Sequence, residues 1–182
     1  MDGRLLCFVV VANFSVFVFY KSFFSIPSNH HHNKGIGQGV ALALARQGAQ
    51  VIVLDLPAAS DQAHSTAEQC TAAAGSAARG AAGAVFADVS DRAQLAAAFQ
   101  QAVELAGGSL NIVVANAAWS ARGGFMHEMG SDEAWEGARR TFEICQFGAF
   151  HTCQLAAEHM VARHQVCFNG WGGGGGGKKK KS

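Results

Sequence analysis

Between residues 35 and 165 the apolar positions change their period several times, and each change marks an element. Ile36, Val40 and Leu44 recur every four residues between Gly35 and Gly48, which predicts one face of a helix stopped by a glycine. VIVLDL (51–56) follows, a β-branched run of the kind required by a strand buried on both faces. The alanine-rich polar segment from Ser60 to Ala74 predicts another helix, and AVFADV (84–89) another strand. Ser90 is placed to cap the next helix, in which Leu95, Phe99 and Val103 share a side that Gln94, Gln101 and Glu104 avoid. Gly107-Gly108 ends it, and LNIVVANAA (110–118) returns to strand. Two further helices complete the pattern, one beginning near Ser131 and one including Gly148 to His164. Strands alternating with helices at this spacing predict an α/β domain with a parallel sheet covered on both faces.

The two ends differ from this middle. In residues 1–29, Arg4 precedes LLCFVVVANFSVFVFY, interrupted only by Asn13 and Ser15, and KSFFSIPSN follows. A charged start and a short apolar run suit a secretory-signal core or membrane association through residues 5–20, whereas a span wants about 20 apolar residues. No small-residue cleavage site of the A-x-A kind is evident, which favours a buried strand or an incorrectly assigned first exon at this end. Residues 166–182, VCFNGWGGGGGGKKKKS, read as a flexible tail, because glycines supply no core and four lysines repel one another. The chain thus divides into an apolar segment (1–29), a domain (30–165) and a tail (166–182).

Composition narrows the function classes. A formal net charge of +1 gives no reason to expect nucleic acid as a partner. Five scattered cysteines form no CxxC pair and no disulfide framework, which fits a reducing, cytoplasmic setting. The run His30-His31-His32 cannot turn all its rings to one metal from an extended segment, and no HExxH or Cys/His spacing supports a zinc site.

The candidate chemistry lies in Gly35-Ile36-Gly37, which opens the first helix. Glycines there let a pyrophosphate approach backbone N–H groups, and the helix dipole favours its negative charge. Asp55, about 20 residues on at the end of the next strand, is placed to accept hydrogen bonds from adenosine ribose hydroxyls. A carboxylate at that point repels a 2′-phosphate, so the pattern leans to NAD over NADP.

In these residues the chain resembles the short-chain dehydrogenase/reductase family, over about residues 33 to 165. NKGIG is similar to the close of that family's TGxxxGxG turn, and Asp88-Val89 to its adenine-contacting DV pair. Ala115-Asn116-Ala117-Ala118 resembles its NNAG segment, and TFEICQFGAFHTCQLAAEHM its long dimer-interface helix, with Gly148 and Phe150 matching G-x-F. The resemblance implies a partial Rossmann-like, doubly wound sheet and hydride exchange between a nicotinamide dinucleotide and a small-molecule alcohol or carbonyl substrate. It assigns the cofactor to Gly35, Ile36, Gly37, Asp55, Asp88, Val89, Asn116 and Ala117, and makes homo-oligomerisation through the helix from Phe142 to Met160 an alternative to its packing as core.

The departures are specific. The family's threonine and first glycine fall on His30 and His31, where a side chain and a left-handed backbone would cost roughly 1–2 kcal/mol before any clash. The strand before this turn is expected within FFSIPSN (23–29), whose Pro27 has no ladder donor. The family's proton donor is a tyrosine with a lysine four residues on, sharing a helix face. The single tyrosine here is Tyr20, with phenylalanine at 24, and Cys145 takes the place of the family's helix asparagine. Two readings follow: an oxidoreductase inactive as the chain stands because its Ser/Tyr-x-x-x-Lys half is absent, or a noncatalytic nucleotide-binding or dimerisation remnant.

Overall fold

The computed structural model describes residues 15–19 (backbone only), 35–77, 80–120 and 130–163. The histidine run, Tyr20, Phe24, Pro27 and the tail lie outside them. Four strands carry the architecture: β1 (Ser15–Phe19), β2 (Gln50–Asp55), β3 (Gly83–Phe86) and β4 (Ile112–Val114). They pair in the order β3-β2-β1-β4, every pair parallel. Helix α1 (Ile36–Arg46) links β1 to β2, α2 (Ser60–Ala74) links β2 to β3, and α3 (Arg92–Leu105) links β3 to β4. Then come α4 (Asp132–Phe142), a six-residue π-helical segment (Glu143–Gly148) and α5 (Ala149–Ala162). This is a partial Rossmann-like, doubly wound parallel sheet, as the alternation of periods implied.

Successive residues of β2 point to opposite faces and feed two separate cores. Val51 and Val53 pack with Ala41, Ala45, Ala63 and Cys70 of α1 and α2. Ile52 and Leu54 pack with Val85, Leu95, Phe99 and Val103 on the α3 face, joined by Ile144 and Ala156. Ile52, Leu54, Leu95 and Leu110 are completely enclosed, each contributing roughly 1.5–3 kcal/mol by leaving water.

Several sequence expectations need correction. The strand between β2 and β4 is Ser15–Phe19, earlier in the chain than FFSIPSN, so the sheet draws on the 1–29 segment as well as the domain. A strand paired on both edges needs every N–H, which SVFVF supplies and a proline cannot. In α1 the buried stripe is Gly37, Ala41 and Ala45, while Ile36 is 79% exposed. Two stripes one residue apart have the same period, and the smaller side chains let α1 lie closer to the sheet and α2. Strand β3 stops at Phe86, although Ala87 N still donates to Asp55 O at 3.0 Å. Strand β4 is likewise shorter than 110–118. Asp91, not Ser90, caps α3: its Oδ1 accepts from Ala93 N at 2.9 Å and Gln94 N at 3.1 Å. Helix α4 buries no residue and relies on its ends, with Ser131 as cap, Asp132 and Glu133 in the first turn and Arg139 and Arg140 in the last.

Candidate functional site

Parallel β1 and β2 require the connecting helix to run back against them, so the amino end of α1 stands at the carboxyl edge of the sheet. Asp55 closes β2 at that same edge. Gly35 precedes α1 with an extended backbone (φ −62°, ψ 155°), and among the described residues no side chain caps the helix start. The first-turn amides are therefore not engaged by a capping side chain, a requirement for receiving an anion.

Beside this edge lies a cleft of about 120 Å³ between the ends of β2 and β3, the segment after β4, and α4 with its π-helical continuation. Asp55, Asp88, Val89 and Ala117 line it, with Leu54, Leu56 and Ala87 from the same strand ends and Trp119, Arg140 and Ile144 opposite. Whole-ligand pockets run about 300–1,000 Å³, so this cleft takes one part of an extended ligand, such as a base.

Asp55 is buried, at 3% exposure, and its Oδ1 accepts from Leu56 N at 2.7 Å. Asp88 is held from two sides: Oδ1 accepts from Ser90 N at 2.9 Å and Ser90 Oγ at 2.6 Å, and Oδ2 from Arg140 Nη2 at 3.2 Å. Partial burial pushes its carboxyl upward, but the Ser90 hydrogen bonds and the Arg140 charge outweigh that and leave it below the ordinary carboxylate value. Val89 is buried and meets Gly148, where a Cβ would stand 2.8 Å from Val89 Cγ2. Cys145, which stands in the place of the family's helix asparagine, has a polar role. Its thiol accepts from Trp119 N and donates to Trp119 O, both at 3.2 Å, tying the wall after β4 to the π-helical segment. π-Bulges recur where a helix must re-aim side chains at a functional site.

The cleft thus unites Asp55, Asp88, Val89 and Ala117. Gly35, Ile36, Gly37 and Asn116 are not in its lining: Gly37 is buried, Ile36 exposed, and Gly35 and Asn116 are half-buried. Sequence reasoning missed Arg140 and Ile144, for which no local signal exists. Buried Cys70 is no nucleophile, since burial pushes its thiol up to about 11. Among the described residues no group of three metal-ligating side chains occurs, and no helix is long and apolar enough to cross a membrane.

These features define a partial Rossmann-like α/β protein with a cleft at the carboxyl edge of its sheet, and comparison with known proteins narrows the class. A family profile described as enoyl-(acyl carrier protein) reductase matches residues 31–169. A short-chain dehydrogenase/reductase variant from Serratia marcescens is 29% identical, with a TM-score of 0.59 over 80% of this chain and 50% of its own. A short-chain type dehydrogenase/reductase from Mycobacterium marinum is 26% identical, with a TM-score of 0.65 over 84% of this chain and 52% of its own. A metagenomic short-chain oxidoreductase solved with NADP shares the fold at 19% identity, with a TM-score of 0.61 over 84% of this chain and 58% of its own. No curated protein sequence matches significantly. The chain belongs to the short-chain dehydrogenase/reductase family of oxidoreductases. It spans about half the length of the solved structures it matches.

Proposed function

We propose that these residues are the nicotinamide dinucleotide-binding half of an oxidoreductase that moves hydride between that cofactor and an alcohol or carbonyl substrate. The observation that carries this is the buried Asp55 at the end of β2, in one cleft with Asp88, Val89 and Ala117. In this reading Gly35, Ile36 and Gly37 present the α1 amides to the pyrophosphate and Asp55 binds the adenosine ribose. Asp88 and Val89 face the adenine, and Asn116 and Ala117 stand on the nicotinamide side. A carboxylate at Asp55 favours NAD, although the metagenomic relative was solved with NADP. A cytoplasmic setting suits the free thiols Cys70, Cys145 and Cys153.

Hydride delivery to a carbonyl leaves an alkoxide that needs a proton from a positioned acid. The 182 residues contain one tyrosine, Tyr20, with Phe24 where a pKa-lowering lysine would follow. We therefore assign cofactor binding without turnover to this stretch of chain. A second reading, a homo-oligomer built on α4 and α5, is favoured by the exposed aromatics Trp135, Phe142, Phe147 and Phe150.

The test is a titration of NADH and NADPH against tryptophan fluorescence. NADH quenches saturably, NADPH binds at least about tenfold more weakly, and Asp55→Ala weakens NADH about 10–100-fold, as loss of hydrogen bonds to a charged group predicts. Saturable quenching that Asp55→Ala leaves unchanged refutes the ribose contact.

A further inference from the structure

In the cleft lining Asp88 pairs with Arg140, a residue to which the cofactor assignment gives no role. The two residues are 52 positions apart and meet only because the last turn of α4 overhangs the end of β3. Asp88 Oδ1 is saturated by Ser90 N and Oγ, so Oδ2 is the atom left to face a ligand, and Arg140 Nη2 already donates to it at 3.2 Å. The Asp88 and Arg140 side chains are 26% and 48% exposed, and an ion pair this open to water holds its partners weakly. Arg140 can therefore share or yield Oδ2 when a ligand enters. Leu54, Val89, Ala117 and Ile144, in the same lining as Asp55 and Trp119, offer apolar surface to the faces of a ring.

A carboxylate alone would accept from a 6-amino group and repel a 6-oxo group. Beside a guanidinium it becomes an edge with an acceptor and a donor side by side. We propose that Arg140 is a specificity residue of the base pocket, which with Asp88 lets the cleft accept purine dinucleotides carrying either a 6-amino or a 6-oxo group. The 6-amino group donates to Asp88 Oδ2; the 6-oxo group accepts from Arg140, whose charge also offsets the neighbouring carboxylate. This rests on the assignment of the cleft to the base end of the cofactor.

The experiment compares NADH with reduced nicotinamide hypoxanthine dinucleotide on the full chain, in wild type, Arg140→Ala and Arg140→Lys. Wild type binds the two within about threefold. Arg140→Ala weakens the 6-oxo analogue at least about tenfold more than it weakens NADH, because Asp88 stays anchored by Ser90 and still accepts from the 6-amino group. Arg140→Lys restores part of the loss. A wild type that already rejects the 6-oxo analogue overturns the proposal, as does an Arg140→Ala variant that weakens both ligands equally or neither. No NADH binding to wild type would sink the cofactor reading and this proposal together. The other outcomes sink this proposal alone.

Discussion

Gly148→Ala sets two known effects against each other. Gly148 has ordinary helical angles (φ −60°, ψ −45°), so alanine should be the better residue there by about 0.8–1.0 kcal/mol. The surroundings forbid it. The added Cβ would lie 2.8 Å from Val89 Cγ2, 3.1 Å from Val89 Cβ and 3.2 Å from Val89 O. Carbon pairs rest at about 3.5–4.0 Å, so the two segments must part by roughly 0.7 Å. A new Val89 rotamer moves Cγ2 but neither Cβ nor the carbonyl. Thr152 Oγ1 donates to Gly148 O at 2.7 Å in a buried bond, which restrains the other side. Overpacking of this kind costs about 1–3 kcal/mol, leaving a net loss of about 1 kcal/mol. For a chain of this size that lowers Tm by about 2–4 °C. Urea unfolding measures it, and Val89→Ala in the same background supplies the control. Removing Cγ2 should recover part of the loss, giving a coupling of at least about 0.5 kcal/mol. A Gly148→Ala protein more stable than wild type, with no coupling to Val89, would refute the close approach of the π-helical segment to the cleft wall.

Two other predictions concern α5 and the segments that lead into it. His159 Nε2 accepts from Leu110 N at 3.2 Å, and burial followed by the Arg163 charge lowers its pKa. The fold therefore favours the neutral ring: this contribution is fully present above the unfolded value of about 6.5 and is lost as pH falls below it toward the lower folded value. Urea midpoints at about pH 7.5 and 5.5 should differ more in wild type than in His159→Gln, and equal differences would remove histidine from the account. If α4 and α5 associate between copies, sedimentation should show self-association that Phe147→Ser and Phe150→Ser abolish, whereas a wild-type monomer at every concentration rejects that reading.

The sequence by itself determined what short-range geometry controls. The period of Leu95, Phe99 and Val103 places α3's core face, and all three are buried. The β-branched run before Asp55 makes a strand buried on both faces, and the acid closes it. The alternation of such elements implied the parallel, two-faced sheet. Tertiary structure alone decided which of two equivalent stripes on α1 turns inward, because only the distance to α2 and the sheet distinguishes alanines from Ile36. It brought Arg140 onto Asp88, and the Cys145 thiol onto the Trp119 backbone 26 residues away. Contacts at such separations leave no periodic trace in the chain; they exist because helices of given length, packed on a sheet of given order, deliver their ends to the same edge.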